Sequence, residues 1–157
     1  METKKEGASL HFDSESFNAE IYSRVARKAM LRDVILVDSV FSFKVEVLNA
    51  AQEEEQSINP RFEGKPEETF SDNDFVVGKY LWTVEIKHKR KRGLHLRSTY
   101  VLVYSGLKDE PEDYKRLYFS KLARFTSYPY FRAHTAAHVA SAGLSLPPLP
   151  SLHDRVD

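Results

Sequence analysis

Residues 128–149 read YPYFRAHTAAHVASAGLSLPPL, and the reading of this stretch decides how the rest of the chain is arranged. It has the marks of a helix with defined ends. Ser127 is placed to cap the first turn, and Pro129 is tolerated there because its missing N–H would have no partner. Gly143 suits the left-handed residue just past the last turn, and Pro147, Pro148 and Pro150 forbid continuation. Between these ends Ala133, Ala136, Ala137 and Ala140 give one face of small side chains. Such a face lets another backbone approach closely. With Tyr130 it forms the expected interface between copies of the chain.

The order Tyr128-Pro129-Tyr130-Phe131-Arg132, a helix, then Gly143 and Leu146-Pro147-Pro148-Leu149 resembles the C-terminal signature of the SecB family of ATP-independent chaperones. Ala133 stands where that family usually has Glu. Arg27 to Leu36, a helix feeding an Arg-Asp-led strand, is similar to the SecB-like chaperones of toxin–antitoxin systems. The resemblance implies an α+β fold: a twisted antiparallel sheet with an N-terminal helix and C-terminal helices, assembled as a homotetramer, a dimer of dimers. Ending at Asp157, the chain is expected to have no room for the second C-terminal helix of export-type members. The resemblance further implies an aromatic-lined client groove between sheet and C-terminal segment. By position its candidates are Phe41, Phe43, Tyr80, Trp82, Tyr100, Leu144, Leu146 and Leu149.

Composition agrees with a chain of this kind. At 157 residues it suits one domain, here expected over 1–157, burying roughly 70% of its unfolded surface. It has no cysteine, which excludes disulfides and thiolate metal sites. No apolar run reaches the length of about 20 residues that spans a bilayer. The polar N-terminus METKKEGASL does not read as a signal peptide, so a cytoplasmic, bacterial location is expected. Residues 1–78 hold 9 Lys+Arg against 16 Asp+Glu, and residues 79–157 hold 14 against 7. The two halves could attract one another, or each could simply carry solvated faces.

Residues 1–13 are polar and read as disordered. Ser14 or Ser16 caps a helix to about Met30, with Phe17, Ile21, Val25 and Ala29 on one stripe. The period then changes to two: Phe41, Phe43, Val45 and Val47 alternate with polar residues as a strand, and Val34–Val37 is apolar throughout. Residues 50–74, with Glu53-Glu54-Glu55, Pro60, Gly64, Pro66 and Glu67-Glu68, read as an acidic loop. From Phe75 the strand pattern returns. Tyr80, Trp82, Val84 and Ile86 share one face, and Leu94–Tyr104 alternates again. Asp109 and Pro111 start a further helix carrying Tyr114, Leu117, Tyr118, Leu122 and Phe125.

Between the two strands lies KHKRKR, Lys87–Arg92, closed by Gly93. It reads either as a patch for nucleic acid or an acidic scaffold partner, or as a solvated hairpin tip. The tip is favoured because no aromatic interleaves the run, so nucleic acid is not the expected partner. His134 and His138, four apart, could share a metal ion, but no third ligand is indicated and Thr135 replaces a catalytic Glu. They are expected to be bonded to neighbours, with no metal and no cofactor. No phosphate loop, nucleophile elbow or apolar carboxylate pair points to an enzyme. Eight Tyr and ten Phe suit a protein that holds unfolded or extended client segments. Two client programmes fit the resemblance: guarding an antitoxin, or handing preproteins to the SecA motor through acidic residues on the outer sheet face. Asp33 keeps one such acid, but Val37 and Arg97 stand where others are expected, which favours the antitoxin.

Overall fold

The computed structural model describes residues 16–54 and 59–152. The expectations for residues 1–13 and for Ser14 lie outside that range. The elements are α1 (Ala19–Lys28), β1 (Met30–Phe43), α2 (Val45–Glu53), β2 (Arg61–Ser71), β3 (Val76–His88), β4 (Lys91–Ser105) and α3 (Glu112–Ser141). The strands form one antiparallel sheet in the order β1-β4-β3-β2, so β1 and β2 are its two edges. The SecB-like α+β architecture expected from the sequence is the one observed.

The core lies between α3 and one face of the sheet. As the alternation predicts, Tyr80, Trp82, Val84 and Ile86 of β3 are buried there with Leu94, Leu96, Tyr100, Leu102 and Tyr104 of β4. Phe119, Ala123, Tyr128 and Phe131 of α3 cover them. Trp82 is central: its ring stacks on Phe131 at 5.5 Å and 13°, and its indole N–H donates to Ser127 Oγ at 2.8 Å.

Ser127 therefore does not cap a new helix. The segment from Glu112 to Ser141 is one helix of 30 residues with Pro129 inside it, and its N-cap is Pro111. Proline removes one intrahelical bond, but Pro129 and Phe125, four residues before it, both lie on the exposed side, where water can meet the freed carbonyl. Burial of Ser127, Tyr128 and Phe131 on the other side offsets that loss. The two expected C-terminal helices are thus a single one.

Four other expectations are corrected. Val45 and Val47 belong to α2: the β1–β4 pairing stops at Phe43↔Leu94, with one further bond from the Lys44 amide to the Gly93 carbonyl at 2.7 Å, although β4 itself runs on to Lys91. There the chain turns, and Val47, Leu48 and Ala51 pack down on the end of the hairpin. The described residues between 50 and 74 are not one loop: they hold the end of α2 and the whole of β2, which pairs with β3 from Arg61↔Glu85 to Ser71↔Val76. Its poor strand formers are tolerated on an edge. Gly64 is required there, since a Cβ would come within 2.7 Å of both the Trp82 and Tyr80 rings. Gly93 does not close the hairpin but lies inside β4; the turn falls at Lys89, whose φ is 55°. At the other end Asn18, rather than Ser16, caps α1 by accepting from the Glu20 and Ile21 amides.

Candidate functional site

Two surfaces are built by these elements. The first is the returning tail. Gly143 takes φ 70°, as expected, and the Gly143 and Leu144 amides donate to the Ala140 and Val139 carbonyls, closing α3 with a Schellman turn. The tail then doubles back along α3. Arg132 Nε donates to the Leu149 carbonyl at 2.7 Å, and the Tyr128 hydroxyl donates to the Pro150 carbonyl. Tyr128 and Arg132, one turn apart on α3, thus pin the Leu-Pro-Pro-Leu segment, which gives the sequence signature a physical reason. Leu149 is buried, while Leu144 and Leu146 remain half-buried.

Between this tail and the last turns of α3 runs a groove of about 290 Å³, lined by Thr135, Ala136, Val139, Ala140, Leu144 and Leu146. At its side Pro60, Val84, Ile86 and Leu94 continue the apolar lining onto the end of the sheet. Of the eight groove candidates, Leu144, Leu146 and Leu149 come together here. Phe41 and Phe43 pair with each other on β1 at 5.6 Å, and Phe41 meets His138 at 4.7 Å. Tyr80, Trp82 and Tyr100 lie beneath α3, at most 3% exposed. Burial pushes the Tyr100 phenol up to about 12. Its hydroxyl is the one buried side-chain polar atom without a hydrogen bond among the described residues. Sequence reasoning missed Val139 and Pro60 as lining residues, because neither belongs to an aromatic or alternating pattern.

The second surface is β1. All but Val34 and Phe41 of its 14 residues are exposed, including Ile35, Leu36, Val37 and Val40. The opposite edge, β2, is guarded by Lys65, Pro66, Glu67 and Glu68 and broken by a bulge between Pro66 and Thr69. β1 has irregularities at Arg32 and Val37 and carries Asp38, but Val34–Val37 is an uncharged apolar run, and such an edge is a template for another strand. The alanine face is equally open: Tyr130, Ala133, Ala136, Ala137 and Ala140 are all exposed.

The outer face of the sheet is polar toward the hairpin end. A cleft of about 720 Å³ there is lined by Arg61, Glu63, Thr83, Glu85, Arg92 and His95, with Arg97 exposed nearby. Hydrogen bonding from Lys87 holds the Glu85 carboxyl below its usual range. The basic hairpin is matched rather than bare: Lys87 and Arg92 pair with Glu85, and His88 and Lys89 pair with Glu54. That is the solvated-tip reading of Lys87–Arg92. Among the described residues no helix is long and apolar enough to cross a membrane, and no three His, Cys, Asp or Glu cluster as metal ligands.

The geometry defines a class: an α+β protein in which one long helix and its returning tail cover one face of a four-stranded antiparallel sheet. That is the SecB-like fold. The chain is similar in structure to the SecB-like chaperone Rv1957 of Mycobacterium tuberculosis, solved in complex with a ChAD peptide from the HigA1 antitoxin, with a TM-score of 0.69. The match covers 87% of this chain and 99% of that one at 18% identity, so the likeness is one of fold. No protein-family model matches the sequence, and no curated protein matches it.

Proposed function

We propose that this protein is an ATP-independent chaperone that holds extended apolar segments of unfolded clients, and that its client is an antitoxin. The observation that carries this reading is the apolar groove between α3 and its pinned tail, open at the surface and continuous with the end of the sheet. Its half-exposed leucines offer apolar area to many sequences at about 25 cal/mol per Å², less the cost of ordering the client. The fold is shared with a chaperone solved with an antitoxin peptide, which supports the choice of client.

The outer face favours the same choice over delivery of preproteins to SecA. Asp33 and Asp38 are exposed on β1, but Arg97, Lys87 and Arg92 occupy β4 and the hairpin, so the face is not a field of acids. The working unit in this reading is a homo-oligomer, a tetramer built from pairs. Copies join through β1 edges, and the exposed alanine face of α3 packs pair against pair. A homo-oligomer hides the apolar edge that a lone protomer leaves in water.

Light scattering of an unfolded test client, with and without the protein and without nucleotide, tests the reading. Wild type is expected to suppress aggregation, and Leu144→Ser with Leu146→Ser to lose suppression while keeping its circular dichroism. If the folded oligomer leaves several clients aggregating at their normal rate, the proposal fails. Protection of preproteins together with binding of SecA would replace the antitoxin client by export.

A further inference from the structure

His134 and His138 lie one turn apart on α3, and the fold brings a third donor to them that the sequence pattern lacks. His134 Nε2 is 3.1 Å from His138 Nε2 and 2.8 Å from Ser39 Oγ on β1. The hydroxyl is itself backed by Ser98 Oγ, at 3.2 Å on the buried face of β4. Phe41 holds the His138 ring from the other side at a centroid distance of 4.7 Å. His134 Nε2 thus meets a second imidazole nitrogen from its own helix and a hydroxyl from the neighbouring strand.

Protons satisfy this arrangement poorly. A ring nitrogen carries either one hydrogen or one in-plane lone pair, so His134 Nε2 serves one of its two partners well and the other badly. A cation between the two rings would engage both nitrogens at once. In a tetrahedral site with metal–nitrogen distances of about 2.0–2.1 Å, ligand atoms stand about 3.3 Å apart, close to the spacing found here. The donors facing the pair are Ser39 from β1 and, behind it, Ser98 from β4. Among the described residues no carboxylate joins it.

We propose that His134 and His138, with Ser39, form a binding site for a borderline transition-metal dication of the Zn²⁺ class, clamping α3 to the edge strand β1. Two imidazoles and a hydroxyl select such an ion over Mg²⁺ or Ca²⁺, which demand several charged oxygens. The remaining positions are open to water. The clamp would hold α3 over the stretch of β1 on which strand pairing depends, so its occupancy would stiffen that edge.

Titration of the full chain, purified without an affinity tag, with ZnCl₂ by calorimetry is the test, with CoCl₂ absorption as a second probe. One ion per chain is expected, with a tetrahedral cobalt spectrum and a melting temperature raised by about 5 °C at saturating zinc. His134→Ala and His138→Ala should each weaken binding by about tenfold or more. Binding should also fall as pH drops through the imidazole range, because only neutral rings ligate. Both positions are half-buried at the rim of the core and alanine favours helix, so circular dichroism should be unchanged. Absence of zinc uptake by folded wild type overturns the proposal. So does uptake that survives intact in the double variant, since the ion would then sit elsewhere, on one or more of the other four histidines.

Discussion

Replacing Val37 by Lys tests whether β1 is a pairing edge. Val37 is at the bulge between Leu36 and Asp38, so no β4 residue stands directly opposite it, and it is 50% exposed in the protomer. Folding of one chain should barely notice the change. Pairing should notice it twice, because both copies carry it. Burying a whole Val side chain is worth about 1.5–3 kcal/mol, and half of it is still exposed, so each copy forfeits about 1 kcal/mol. Two lysines brought together across antiparallel edges add up to about 1 kcal/mol of repulsion. The sum, about 2–3 kcal/mol per pair, weakens self-association by about 30- to 150-fold. Sedimentation velocity over a concentration series reads it directly. Phe70→Lys is the control: Phe70 is more exposed, at 62%, but lies on the guarded β2 edge, and should change nothing. The reasoning is refuted if the Val37 variant sediments like wild type at every concentration, or if wild type is an 18.1 kDa monomer throughout.

Trp82→Ala should cost about 3–5 kcal/mol, because the ring is fully buried against Tyr128 and Phe131; denaturant unfolding checks it, and a loss under 1 kcal/mol would mean the ring is not core. Glu110 anchors α1 to the start of α3: its carboxylate accepts from Arg24 Nε at 3.0 Å and from Lys28 Nζ at 2.6 Å. Burial alone would raise its pKa, but the Lys28 and Arg24 hydrogen bonds outweigh that and hold it low. A depressed pKa stabilises the fold above the ordinary Glu value of about 4.3 and loses that contribution as pH falls through the folded value. Glu110→Gln should therefore lower stability by about 1–2 kcal/mol at pH 7, discounted because both cations are half exposed, with the gap to wild type closing below about pH 4. A gap that persists unchanged at low pH would assign the effect to packing.

Much of this fold is written in local pattern. The period-two alternation of Tyr80–Ile86 and Leu94–Tyr104 is forced by pleating, and one buried face allows only one register, so both strands and their core side could be read directly. Gly143 was legible because only glycine takes the left-handed cap without strain. The Tyr128, Arg132 and Leu146–Leu149 signature pointed to the fold even though its purpose, pinning the tail, is visible only in three dimensions.

What the sequence could not decide were the places where a distant partner overrides local preference. Ser127 and Pro129 spell a helix start in isolation, and only the Trp82 indole, 45 positions away, turns Ser127 into a buried bond within one long helix. β2 has the composition of a loop, and pairing with β3 makes it a strand. Val45 and Val47 continue an alternation, but the chain leaves β4 after Phe43 and turns into a helix whose Val47 and Leu48 pack on Gly93, which no local pattern can register. Tyr80, Trp82 and Tyr100 were read as groove candidates yet lie beneath α3, because a strand's sequence shows which residues share a face, not what covers that face. The histidine pair gains its third donor from β1, 95 residues before His134 in the chain. Local sequence sets the period and the breaks, because those depend on neighbouring dihedrals and side chains. Tertiary packing decides which face is covered and which edge stays open, because those depend on contacts between residues far apart in the chain.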